Sequence, residues 1–299
     1  MSEPSSREAG RREPVSPLVS PAELLAHLGD ERWVVVDCRF DLAAPGAGEQ
    51  AYETAHIPGA VYAHLDRDLS APVTGRNGRH PLPDAAAIEA TCGRLGIGPD
   101  AHVVAYDQDT GMFASRLWWM LRYVGHDRAA VLDGGFAAWV RAGGPTRAGR
   151  EQRPACVFRA APRPEMIVSA GEVLRLLGRR DWRLVDARAP ERYAGEVEPI
   201  DPVAGHIPGA RNHPYQTNLD EHGRFLPAPA LRARFEQTLR DIPPERTIVY
   251  CGSGVSACHD LLAMEIAGMR GARLYAGSWS EWCADPSRPI ERGVDRNVL

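Results

Sequence analysis

The segment His56-Ile-Pro-Gly-Ala60 returns unchanged at His206-Ile-Pro-Gly-Ala210, and nothing else in the chain restricts its possible folds as much. The flanks match too. Trp33-Val-Val-Val-Asp37-Cys38-Arg39 is answered by Trp182-Arg-Leu-Val-Asp186-Ala187-Arg188. Further on, His102-Val-Val-Ala-Tyr-Asp107 parallels Thr247-Ile-Val-Tyr-Cys251, and Ala130-Val-Leu-Asp-Gly-Gly135 with Trp139 parallels Ala272-Arg-Leu-Tyr-Ala-Gly277 with Trp282. Self-similarity at corresponding places marks a tandem duplication, so the chain is expected to fold as one unit built twice.

Within each copy, short β-branched runs alternate with helical patterns. This is the mark of an α/β fold, a mostly parallel sheet covered by helices on both faces. Strands are predicted at 33–37, 102–106 and 129–132, and again at 182–186, 247–250 and 272–275. Helices are predicted over 21–28, 84–95 and 113–124, then 169–177, 228–239 and 255–267. Pro21 and Pro83-Asp84 suit helix starts, and Ser169 with Glu172 is spaced for a capping box. The first domain is expected over 18–143 and the second over 165–290. Residues 144–164, with Pro145, Pro154, Pro162 and Pro164, read as a linker strapped to the surface.

Charge and cysteine usage exclude several classes. Lys and Arg total 35 against 39 Asp and Glu, with no basic stripe interleaved with aromatics, so nucleic acid is not an expected partner. No apolar run is long enough to cross a bilayer, so no membrane partner is expected. Residues 1–17 are polar, lack the apolar core of a secretory signal and read as a disordered tail. Six cysteines dispersed over 299 residues do not form a dense disulfide framework; reduced thiols in a cytoplasmic protein are expected.

Of those cysteines, Cys251 alone opens a glycine-rich turn. Cys251-Gly252-Ser253-Gly254-Val255-Ser256-Ala257 leads from a β-branched run into a helical pattern. Such a turn aims backbone N–H groups and a helix N-terminus at one atom, and glycines permit the tight backbone. A thiol that ordinarily titrates near ~8.5 becomes more acidic in such surroundings. The same donors would stabilise the outer sulfur of a persulfide, with no metal or organic cofactor. Cys251 is therefore a candidate nucleophile, set against the alternative of a buried structural cysteine. Asp107 stands at its place in the first copy, so one competent site per chain is expected.

The active loop, the paired His-Ile-Pro-Gly-Ala segments, Asp186-Ala187-Arg188, Leu132-Asp-Gly-Gly135 and Gly277-Ser-Trp-Ser-Glu-Trp282 together resemble the tandem-domain rhodanese family, from about residue 18 to 285. The resemblance implies two tandem rhodanese-like domains, an inactive first and a catalytic second, with Cys251 cycling between thiol and persulfide. It implies a sulfurtransferase that takes sulfane sulfur from a small anionic donor. The acceptor would be a thiol such as that of thioredoxin, or cyanide. Family members selective for thiosulfate resemble Cys-Arg-Lys-Gly in the loop, and those selective for 3-mercaptopyruvate resemble Cys-Gly-Ser-Gly. This chain has the second form, so 3-mercaptopyruvate is the expected donor and thiosulfate the alternative. A persulfide-carrying binding or regulatory module is the non-enzymatic alternative; intact Gly252, Ser253, Gly254 and Arg192 favour catalysis.

In the mercaptopyruvate branch the resemblance implies that Ser253 and the first-domain histidine of His-Ile-Pro-Gly, His56, handle protons at sulfur or the substrate carbonyl, with Asp37 as a candidate acid. Gly252, Gly254, Val255 and Ser256 would surround the donor, and Arg192 would hold its anionic group, since a guanidinium matches a planar carboxylate. A second arginine expected after a Pro-Glu-Pro-like segment is missing from Glu198-Pro-Ile-Asp-Pro202, and Arg188 or another basic residue is its expected substitute.

Other constellations carry less. A phosphatase-like cradle needs an arginine where Ala257 stands, and Cys251, Cys258, His259 and Cys283 lack the close Cys-x2-Cys pair of a structural zinc site. Cys258 reads as core, with a resolving thiol as the alternative. Trp118-Trp119-Met120 cannot share one helix face, so their helix is expected to pack against its own sheet and the other domain. Gly75-Arg76-Asn77-Gly78 reads as a surface turn, with a loop that reaches the second domain's active site and adds the charge of Arg76 and Arg79 as the alternative.

Overall fold

Residues 16–293 are described by the computed structural model; most of the tail read from the sequence, residues 1–15, lies outside them. The β-branched runs form two parallel sheets. In the first, β1 (Leu18–Val19), β2 (Trp33–Asp37), β3 (Val61–Tyr62), β4 (His102–Tyr106) and β5 (Ala129–Leu132) lie in the order β1-β5-β4-β2-β3. In the second, β6 (Arg183–Asp186), β7 (Arg211–Asn212), β8 (Thr247–Tyr250) and β9 (Arg273–Leu274) lie in the order β7-β6-β8-β9. A single parallel bridge between Ile167 and Leu274 stands where β1 pairs with β5 in the first domain. Helices flank both sheets, as a parallel sheet with near-continuous apolar strands requires.

The duplication extends to individual hydrogen bonds. Tyr106 pairs in register with Asp37, and Tyr250 with Asp186. Past each central strand the next carbonyl receives an equivalent bond, Phe136 N–H to Asp107 O at 2.8 Å and Trp279 N–H to Cys251 O at 2.9 Å. Asp107 and Cys251 therefore occupy one position in two copies of the fold. That position is the C-terminal end of a central parallel strand, where open α/β sheets place their sites.

Helix starts follow local chemistry. Ser20 caps the helix Pro21–Ala26, Asp84 caps Ala85–Arg94, and Ser169 and Glu172 form a reciprocal capping box before Ala170–Leu176. The edge strands β1, β3 and β7 have two residues each, too short to leave a periodic signal.

The interface between the domains is an extension of the core. Helices Ala114–Tyr123 and Ser256–Ile266, which follow the two equivalent loops, pack on each other, and Trp118, Trp119 and Met120 are buried in one apolar cluster with Leu262 and Met264. The proline-rich strap runs back along the first domain: Arg147 exchanges backbone bonds with His56, Cys156 N–H bonds Gly93 O at 3.0 Å, and Ala161 N–H bonds Val124 O at 2.9 Å. Among the described residues no helix is long and apolar enough to cross a membrane.

Candidate active site

Cys251 directly follows β8 and is buried under its own loop, where its Sγ accepts a hydrogen bond from Gly254 N–H at 3.1 Å. Gly254 adopts φ +79°, and a Cβ there would stand 2.3 Å from the carbonyl oxygen of Ala276. Only glycine closes the turn tightly enough to bring that N–H to sulfur. Ser278 braces the other end, accepting from Cys251 N–H at 3.1 Å. Val255 and Ser256 begin the helix Ser256–Ile266 directly behind the sulfur. All six cysteines are free. Cys258 donates to Gly254 O at 3.2 Å, and burial pushes its thiol up to about 12, so it stays protonated and holds the loop from behind.

The first domain completes the site. Arg116 is fully buried and donates to the carbonyls of Leu69, His80 and Gly254, the last at 3.0 Å. It thereby ties the segment 69–80 to the active loop. Arg79 N–H bonds Ser280 Oγ at 3.1 Å, and Gly78, at φ +84°, lies so close to Gly277 that a Cβ would stand 2.8 Å from its carbonyl oxygen. The turn around Gly75–Gly78 thus reaches the second domain. His80, held in this way, places Nδ1 2.7 Å from Ser253 Oγ. Its Nε2 lies 3.4 Å from Asp66 Oδ1. Burial, then the positive charges of Arg116 and Arg79, hold the His80 ring down to about 4, so at neutral pH it is an uncharged imidazole able to accept a proton.

Two guanidiniums cover the mouth of the loop. A Cβ at Gly252 would stand 2.8 Å from Arg79 Nη2 and 3.6 Å from both terminal nitrogens of Arg192. A side chain at Gly252 would push Arg79 aside and leave Arg192 in van der Waals contact. The arrangement brings together a thiol, a hydroxyl paired with a neutral imidazole, and two arginines, groups able to serve as a nucleophile, a proton relay and an anion site.

The sequence-derived residues divide cleanly. Cys251, Gly252, Ser253, Gly254, Val255, Ser256 and Arg192 come together. His56 does not: its Nδ1 bonds Tyr52 O at 2.8 Å, its ring stacks on Tyr52, and its Nε2 lies 3.5 Å from Glu151. His206 repeats that arrangement with Tyr193 and Glu291. The histidine at Ser253 is His80. Asp37 is likewise occupied, by Arg39 and the Tyr106 hydroxyl, and the acid beside His80 is Asp66. Arg188 is sealed against Asp186, Glu198 and Gly205 O, the equivalent of Arg39 with Asp37 and Ala55 O, and the second arginine at the mouth is Arg79.

In the first domain the equivalent cradle is filled by protein. Asp107 accepts from the N–H groups of Gly111, Phe113 and Ala114 at 2.8, 2.8 and 3.4 Å. The sequence pattern of the Rhodanese-like domain matches residues 20–142 and again 169–285.

The chain belongs to the rhodanese family.

It is a tandem rhodanese, homologous to 3-mercaptopyruvate and thiosulfate sulfurtransferases. It is 46% identical to the "Probable 3-mercaptopyruvate sulfurtransferase" of Pseudomonas aeruginosa, over 92% of this chain and 98% of the relative. It is 41% identical to SseB of Mycobacterium tuberculosis, a protein named for thiosulfate sulfurtransferase activity, over 93% and 97%. The structure of 3-mercaptopyruvate sulfurtransferase from Leishmania major superposes with a TM-score of 0.80 at 31% identity, covering 92% of this chain and 75% of that one. The rhodanese loop and its glycines were readable from the strand-to-helix pattern. His80 and Asp66 left no such signal, because the four-residue helix Leu65–Asp68 and the irregular segment that carries His80 belong to the other domain and show no period that points to the loop.

Proposed function

We propose that this rhodanese is a sulfurtransferase that takes sulfane sulfur from 3-mercaptopyruvate onto Cys251 and passes it to an acceptor thiol or to cyanide. The observation that carries the donor assignment is the 2.7 Å contact between His80 Nδ1 and Ser253 Oγ. In the first half-reaction the Cys251 thiolate attacks the donor sulfur, an S–S bond forms and the C–S bond breaks. The electron pair of that bond leaves on carbon as the enolate of pyruvate. The donor thiol carries one proton and the enolate needs one, so a relay across Ser253 and neutral His80 balances the step, leaving Cys251 as an anionic persulfide. In the second half-reaction an acceptor thiolate or cyanide attacks the outer sulfur and releases Cys251 thiolate, a double displacement through a covalent intermediate.

Thiosulfate is the second reading, supported by the likeness to SseB. Its cleavage releases sulfite, which needs no proton, so it would leave the Ser253–His80 pair idle. Arg79 and Arg192 would hold the donor's anionic group in either case, through bidentate N–H donation.

The test is a comparison of kcat/KM for 3-mercaptopyruvate and thiosulfate, with mass spectrometry of the loop peptide after donor treatment. A one-sulfur adduct on Cys251, loss of turnover in Cys251→Ser and a preference for 3-mercaptopyruvate are expected. Undiminished turnover in Cys251→Ser would remove the covalent mechanism. A preference for thiosulfate would leave that mechanism standing and replace the donor.

A further inference from the structure

Neither arginine at the mouth is free. Asp201 forms an ion pair with Arg79, and its Oδ2 lies 3.4 Å from Arg192 Nη2. Glu198 accepts from Arg192 at 2.6 and 3.2 Å and also takes the N–H groups of Ile200 and Asp201, which shapes the turn that aims Asp201 at both guanidiniums. The side chains of both acids are 3% exposed, whereas those of Arg79 and Arg192 remain 27% and 18% exposed. The carboxylates therefore stand behind, and the guanidiniums keep an edge toward solvent at the mouth.

Charge around this pair is balanced residue for residue. Arg79 and Arg192 face Asp201 and Glu198, while Arg188, deeper, faces Asp186 and also touches Glu198. An incoming anion thus meets N–H donors carried on a neutral cluster. A monoanion can use those donors at modest electrostatic cost. The second charge of a dianion is set against two desolvated carboxylates, where repulsion is poorly screened. Asp201 is the group common to both arginines, and it is not the one whose oxygens build the turn.

We propose that Asp201 selects the charge class of the sulfur donor, its shared ion pairs with Arg79 and Arg192 favouring monoanionic over dianionic donors at the mouth of the Cys251 loop. The proposal rests on the reading above that the donor's anionic group binds these two arginines. Asp201 acts through them, as a specificity-determining residue, and takes no part in sulfur transfer.

The experiment measures protection of Cys251 from alkylation by iodoacetamide, an uncharged reagent, in the full-length protein, with sulfate as the dianion and pyruvate as the monoanion. In Asp201→Asn, sulfate protection should tighten on the order of 10-fold while pyruvate protection changes less than about threefold, and Asp201→Glu should restore the wild-type ratio. Asp201→Ser supplies the same reading should the amide disturb the turn. Equal tightening for both anions, or none for sulfate, overturns the proposal. Absence of protection by either anion, in wild type and variants alike, overturns both the proposal and the arginine-site reading beneath it. A wild-type preference for thiosulfate in turnover would overturn only the donor assignment, because the shift in the sulfate-to-pyruvate ratio is read without turnover.

Discussion

His80 Nδ1 lies 2.7 Å from Ser253 Oγ, although 173 positions separate the two residues in the chain and each belongs to a different domain. The catalytic loop is thus whole only when the domains are docked. Arg116, whose guanidinium bonds both His80 O and Gly254 O, fixes the docking at the site itself.

Removing either member of that pair should slow 3-mercaptopyruvate turnover far more than thiosulfate turnover. Ser253→Ala and His80→Asn are each expected to lower kcat with 3-mercaptopyruvate by about 100-fold or more, the ordinary range for positioned acid–base groups. With thiosulfate, losses under about fivefold are expected. The double variant should be no slower than the worse single one, because the two act as a unit. Steady-state kinetics with both donors checks this; equal losses for the two donors would dissociate the pair from proton handling.

The His80 ring should titrate well below the ordinary histidine range, near 4, because burial and then the charges of Arg116 and Arg79 oppose the imidazolium. Arg79→Gln removes one of those charges, so the midpoint should rise toward the usual value. NMR titration of the ring proton measures both; a wild-type midpoint near 6.5 would contradict the assignment.

His56 and His206 should behave alike, as elements of the turn before Ile-Pro-Gly. Each bonds a backbone carbonyl through Nδ1 and stacks on the tyrosine that carries it. Replacing either by Leu should cost about 1–3 kcal/mol of stability, the cost of a buried partner left unsatisfied. In His56→Leu, kcat/KM should stay within about threefold. Urea denaturation with parallel kinetics decides this, and a 100-fold fall in kcat without loss of stability would return His56 to the chemistry.

Asp107 should make folding stability fall as pH rises. Burial pushes its carboxyl up to about 6 against an ordinary 3.8, despite three backbone N–H bonds. A carboxyl whose folded value is raised stabilises the native state fully below about 3.8 and loses that contribution as pH climbs through about 6. The loss is about 3 kcal/mol from a shift of this size. Asp107→Asn removes the titration. The wild-type minus variant difference in unfolding free energy should therefore decline between pH 4 and 7; a flat difference would show that Asp107 is not the group responsible.

What could be read along the chain was whatever local chemistry encodes. The runs at 33–37, 102–106 and 247–250 became central strands over the same bounds, since a parallel strand buried on both faces needs a continuous apolar run. Ser169 and Glu172 became a capping box for the same kind of reason, three residues of helix geometry. The shortfall came where two identical motifs had to be told apart. His56 and His206 share five residues of sequence, and their surroundings turn out to be equally alike.

The sequence by itself determined the duplicated α/β fold and the cysteine at the end of a central strand. It also determined that the other copy carries Asp107 there, because repetition, periodicity and a glycine turn are properties of neighbouring residues. Tertiary structure alone decided what the first domain brings to that cysteine. His80 and Arg79 lie in an irregular stretch of the first domain and Asp66 in the four-residue helix Leu65–Asp68, with no period to read, and Asp201 sits in a turn shaped by Glu198. Apolar packing of Ala114–Tyr123 on Ser256–Ile266 brings that stretch over the loop. A contact made by docking two domains depends on their combined shape, which no local pattern in either one specifies.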